Sequence, residues 1–200
     1  MGGSEIKKRI IGLMGNSGSG KSTVAAKLRE LGAYIIDADQ ISRDLSEPGQ
    51  DGWRAVKQEF GEAFFRNDGA LDRHKLGKYV FARPEELKRL NGVLHPLVLQ
   101  KVDEKIKFAP AGTIVIDCAL LVDVGLDELA DEVWLVTAGQ ESKIERIKNR
   151  DGIGSEHAEN RLRSQLSEKE LERHADVVLE NKGTLDELYE RVRKQYGQGK

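Results

Sequence analysis

Ile10-Ile11-Gly12-Leu13-Met14-Gly15-Asn16-Ser17-Gly18-Ser19-Gly20-Lys21-Ser22 is the stretch on which the fold turns. Its first half is a short apolar run closed by a glycine-rich turn, the pattern of a strand buried on both faces. Its second half, Gly15 to Ser22, fits G-x-x-x-x-G-K-[ST] in full. Glycines let the backbone turn tightly enough for successive N–H groups to converge on phosphate oxygens. A helix that starts directly after such a turn offers its positive end to the same anion. Lys21 can reach the β- and γ-phosphates, and the Ser22 hydroxyl can ligate Mg²⁺. Gly15, Asn16, Ser17, Gly18, Ser19, Gly20, Lys21 and Ser22 are therefore the candidate nucleotide-binding residues, with ATP and Mg²⁺ as the implied cofactors.

Working outward, a helix pattern runs from Lys21 to Leu31, with Val24, Leu28 and Leu31 on one face and Gly32 as its terminator. Ala33 to Ile36 reads as a second strand. Thr113 to Asp117, Glu132 to Thr137 and Asp176 to Leu179 read as three more, separated by helical stretches. Alternating strands and helices predict a parallel sheet covered on both faces, an α/β/α three-layer core. Residues 50–110 lack β-branched runs and carry several helical patterns, so a helical insertion is expected between the second and third strands. The segment 140–174 is dense in charge of both signs and reads as exposed helices.

Composition narrows the classes. The chain has 200 residues, 38% apolar and 33% charged, the balance of a globular protein of one domain with inserted subdomains. A net charge of -2 argues against a dedicated nucleic-acid binder. Lys7-Lys8-Arg9 precedes a short apolar stretch, but Gly12 and the glycines after it interrupt that stretch too early for a signal peptide. No apolar run approaches the ~20 residues that span a membrane. The single cysteine, Cys118, forms no intrachain disulfide and is expected in the core. These features predict a cytoplasmic protein without structural metal.

The phosphate-binding loop alone is shared by switch GTPases, motor ATPases and small-molecule kinases. Asn181-Lys182-Gly183-Thr184 lacks the acid that would read guanine, and Asp151-Gly152-Ile153-Gly154 follows a charged helix rather than a strand. The chain length suits a small-molecule kinase. Asp37-Ala38-Asp39 closes the second strand, where ligands of open α/β sheets sit. Asp39 there serves either as a base toward an attacking hydroxyl or as a helix N-cap. Lys143, Arg146 and Arg150 share one helix face, with Arg161 and Gln165 repeating the idea. They form either a cationic flap over phosphates or an ordinary solvated face.

Further matches extend along the chain: Thr23-Val24-Ala25 after the loop, Ile36-Asp37-Ala38-Asp39, Leu71-Asp72-Arg73 with Leu76, Leu90-Asn91 with His95-Pro96, Leu120-Leu121, Arg146 with Arg150-Asp151, Arg161 with Gln165, and Asn181-Lys182-Gly183. In this order they resemble dephospho-CoA kinase, a family built on the P-loop NTPase core. The resemblance implies transfer of the ATP γ-phosphoryl group to the ribose 3′-hydroxyl of dephospho-CoA, the last step of coenzyme A biosynthesis. It implies a core of residues 1–48 and 112–200, an acceptor-binding insertion of 49–111 and a lid within 140–174. By resemblance Asp39 is the base, Arg146 and Arg150 belong to the lid, and Thr23 joins the nucleotide-binding residues. Arg73, Asn91, His95 and Arg161 face the acceptor, and Asn181 lies near adenine. Two rivals stand beside this reading: a kinase for nucleotides or nucleosides, and a nucleotide-dependent switch without acceptor chemistry. The chain departs from the family pattern at Lys143, where a Gln is common, and at Asp123, where a Glu is.

Overall fold

The computed structural model describes residues 8–110 and 112–198. Lys7 of the basic opening and Ala111 of the expected insertion lie outside the described residues. The described residues divide into two compact units, one formed by those up to Ile36 and from Ala109 onward, the other by Asp37–Phe108.

The first unit is built on a sheet with strands β1 (Arg9–Met14), β2 (Tyr34–Asp37), β3 (Thr113–Asp117), β4 (Glu132–Thr137) and β5 (Val177–Glu180) in the order β2-β3-β1-β4-β5. The pairings of β1 with β3 and β4, and of β4 with β5, are parallel. Ile11, Leu13 and Met14 are fully buried, as an apolar run in a central parallel strand requires. Ile11 and Leu13 join a core with Val24 and Leu28 of α1 (Lys21–Glu30) and Leu188, Val192 and Tyr196 of α10 (Leu185–Gln198). The residue between them, Gly12, faces the other way: a Cβ there would come 2.7 Å from Leu121 in α6 (Leu121–Val124). Helices thus cover both faces, and the three-layer α/β/α fold expected from the alternating pattern is the one observed. Because β1, β3, β4 and β5 run together, their C-terminal ends gather along one sheet edge.

Element ends shift slightly from the sequence expectation. α1 stops at Glu30, with Leu31 as its C-cap and Gly32 at φ +96° turning the chain away. β5 starts at Val177 because Asp176 is engaged in the entry turn, its carboxylate accepting from the Val133 amide at 2.8 Å. The charged segment 140–174 forms α7 (Gln140–Asp151), α8 (Ser155–Arg163) and α9 (Glu168–Glu172), the last opened by a Ser167–Glu170 capping box.

The second unit is helical: α2 (Ala38–Leu45), α3 (Asp51–Phe60), α4 (Arg73–Phe81) and α5 (Pro84–Phe108). Val56, Leu71, Leu76 and Val80 form its buried centre, ringed by Trp53, Phe60, Phe64 and Phe65. The helical unit begins at Asp37, twelve residues before the boundary expected at 48/49, and within it α2 packs on α3 and α5. His95-Pro96 lies inside α5, which continues through the proline. Among the described residues no helix is long and apolar enough to cross a membrane.

Candidate active site

Gly15–Gly20 leaves the C-terminal end of β1 and delivers the chain into α1 without a side-chain cap. The first turn of α1 therefore keeps its N–H groups directed at the loop, the arrangement that receives an anion. Two glycines are dictated by their surroundings. Gly20 sits at φ +101°, and any Cβ there would occupy the place of the Asn181 side-chain amide. Gly18 sits at φ +78°, with a Cβ position 2.6 Å from the Lys143 carbonyl oxygen.

The loop is braced by its carbonyls. Asn181 Nδ2 donates to the Ser19 carbonyl at 2.8 Å, and Arg146 Nη1 donates to the Gly18 and Ser19 carbonyls at 3.0 and 3.3 Å. Asn181 is itself buried and placed by β5, its backbone amide donating to Thr137 of β4 at 2.7 Å. The side chain assigned to adenine on resemblance is therefore engaged with the phosphate loop. With those carbonyls tied back, the polar face left for a ligand is made by the loop N–H groups other than those of Ser17 and Ser19, which donate to the Gln165 side chain and the Asn16 carbonyl.

Lys21, on the first turn of α1, pairs with Asp117, the last residue of β3. Asp117 is a residue the sequence reading passed over. Its signal was present, an acid closing an apolar strand, but its meaning comes from sheet order: β3 lies beside β1, and Asp117 is in register with Leu13 near the start of the loop. Ser22 is exposed in the same turn. A serine hydroxyl and an aspartate carboxylate are hard oxygen donors of the kind Mg²⁺ takes, so these residues suit the ion.

On α7, the face predicted by Lys143, Arg146 and Arg150 splits into three tasks. Lys143 is 7% exposed and pairs with Glu168 at 2.8 Å, tying α7 to α9. A buried charge demands such a partner, which accounts for a lysine at this position. Arg146 braces the loop. Arg150 lies on Asp151 in a two-pronged pair at 2.7 and 2.9 Å, and Arg161 reaches the same carboxylate. The Arg150 hydrogen bond, helped by charge from Arg150 and Arg161, holds the Asp151 carboxyl down at about 2. Asp151-Gly152 is simply the end of α7, with Gly152 as its left-handed C-cap. A cavity of about 350 Å³ is lined by Asn16, Gly139, Lys143, Leu162, Arg163 and Lys182.

In the helical unit, Asp37 caps α2: its carboxylate accepts from the Gln40 amide at 2.7 Å. This removes the alternative role for Asp39, which occupies the first turn and is not the cap. Arg73 donates to the Arg43 carbonyl at 2.6 Å, lies 3.3 Å from Glu47, and borders a cavity of about 260 Å³ with Arg66 and His74. Asn91 and His95 stand one turn apart on α5, both half-buried.

A family model described as dephospho-CoA kinase matches residues 9–187. The chain belongs to the dephospho-CoA kinase family. A dephospho-CoA kinase of Carboxydothermus hydrogenoformans is 40% identical over 92% of this chain and 90% of its own length. A Thermus thermophilus protein of known crystal structure is 34% identical, covering 96% of this chain and 97% of its own, with a TM-score of 0.83. A dephospho-CoA kinase structure from Campylobacter jejuni shares the fold at a TM-score of 0.67 with 24% identity, covering 96% of each chain. Members of this family are ATP-dependent kinases, so the phosphate loop of this chain serves phosphoryl transfer and not a GTP switch.

Proposed function

We propose that this protein transfers the γ-phosphoryl group of ATP to the ribose 3′-hydroxyl of dephospho-CoA, giving CoA and ADP, in the cytoplasm. The observation that carries the reading is the braced Gly15–Ser22 loop, with Lys21 held by Asp117, in a chain matched to the family through both units.

In this reading the amides of the loop and Lys21 bind the β- and γ-phosphates. Ser22 and Asp117 would hold Mg²⁺, Asp117 giving up Lys21 to the phosphates, and the ion would supply positive charge to the transferring group. The transition state is loose, so placement of the acceptor matters more than base strength. Asp39 orients the ribose hydroxyl and takes its proton. Arg150 and Arg161 exchange Asp151 for the phosphate oxygens as the lid shuts, and their charge counts for more once water is excluded. Arg73, Asn91 and His95 hold the acceptor along its length.

The test mixes enzyme, ATP and Mg²⁺ with dephospho-CoA, AMP, UMP or shikimate, and resolves products by mass. CoA is the expected product, with little or no product from the other acceptors. A nucleoside diphosphate from AMP or UMP, with CoA absent, would replace this reading by another acceptor.

A further inference from the structure

Gln165, in the turn between α8 and α9, touches the phosphate loop in a way that neither Arg146 nor Asn181 does. Its side-chain oxygen accepts the backbone N–H of Ser17 at 3.0 Å. One residue on, the Leu166 carbonyl accepts from Asn16 Nδ2 at 3.1 Å. The segment is fixed on both flanks. Gln165 N donates to the Leu162 carbonyl at 3.2 Å, and the Ser167 capping box and the pair of Glu168 with the buried Lys143 follow directly. The position of this side chain is therefore set by the lid as well as by the loop.

A carboxamide has one acceptor oxygen and two N–H donors. Here the oxygen is spent on Ser17, while Nε2 makes no hydrogen bond among the described residues. That leaves a pair of donors fixed at the rim of a loop whose own N–H groups gather phosphate oxygens. A phosphoryl group in transfer spreads its charge over three equatorial oxygens and is stabilised by donors already in place. We propose that Gln165 docks the lid on the phosphate loop through Ser17 and presents its Nε2 donors to the γ-phosphoryl group. This rests on the phosphotransferase reading but not on the identity of the acceptor.

The test needs no acceptor. The intact protein is titrated with Mg²⁺–ADP and with a Mg²⁺–ATP analogue whose β,γ-bridge cannot be hydrolysed. Wild type, Gln165→Ala and Gln165→Glu are compared, and amide hydrogen exchange at Ser17 is followed in each. A glutamate can still accept the Ser17 N–H, so Gln165→Glu keeps that amide slow to exchange. It also removes both donors and brings a negative charge to the phosphates. The expected result is unchanged ADP affinity and a loss of triphosphate affinity of roughly tenfold or more in Gln165→Glu. Gln165→Ala loses less and exchanges faster at Ser17. Equal weakening of both nucleotides would leave only a bracing role and overturn the proposal. A tighter triphosphate complex in Gln165→Ala would overturn it too, marking Gln165 as an obstruction. Failure of the protein to phosphorylate dephospho-CoA would refute the proposed acceptor and leave this result standing.

Discussion

Gly20, Asp39 and Arg146 are the residues whose replacement is most informative. At Gly20 a methyl group meets both a left-handed backbone, costing roughly 1–2 kcal/mol in an L-residue, and the Asn181 amide that holds the loop. Gly20→Ala is expected to abolish measurable ATP binding by calorimetry while the far-ultraviolet spectrum stays that of the wild type. Asp39→Asn is expected to lower kcat by about 10² to 10⁴ with the ATP dissociation constant unchanged; near wild-type turnover would remove Asp39 from the chemistry. Arg146→Ala frees two loop carbonyls, so both kcat and ATP affinity should fall. Arg150→Ala instead removes a group resting on Asp151, and kcat should fall more than ATP affinity. The phosphate loop was legible as a pattern because its glycines and its Lys21-Ser22 pair fall within eight consecutive residues, whatever their distant partners are. Asp117 was not, because its partner stands 96 positions away. The role of Asp39 was legible only as a choice between base and helix N-cap, and the Asp37 cap on Gln40 removes the second.

Among the elements, α7 to α9 show how a charge-dense stretch divides its labour. Sequence periodicity could place Lys143, Arg146 and Arg150 on one side of a helix, but their partners come from α9, from the loop and from the end of α7 itself. The Asp151 cluster has a definite pH signature. A carboxyl held near 2 contributes stability that is fully present above the ordinary aspartate range and is lost as pH falls through the lowered value. The difference in Tm between wild type and Asp151→Asn should therefore be constant from pH 8 to about 5 and shrink only in more acid solution. A difference that changes between pH 6 and 8 would mean that another group governs the cluster. The helical character of residues 50–110 was legible, but not that α5 runs unbroken through Pro96, since a proline ordinarily ends or kinks the element it enters.

In the whole molecule two units each close their own core, and the apolar spacing that built the sheet says nothing about where α2 belongs. That was decided by packing of α2 with α3 and α5, which no local pattern encodes. Leu76 is 4% exposed in the helical core, and Leu76→Ala should cost about 2–5 kcal/mol of stability. If the acceptor is held by that unit, the KM for dephospho-CoA should rise well before the KM for ATP does. The brace on the phosphate loop also sets a schedule for the growing chain. Gly15–Ser22 leaves the ribosome early, yet Arg146 and then Asn181, which hold its carbonyls, are synthesised long afterward. A nascent chain carries the complete motif for most of its synthesis without the residues that brace it, and it is expected to bind nucleotide only once β5 and Asn181 have been laid down. Fragments that stop before Asn181 should show the same: full motif, no ATP bound.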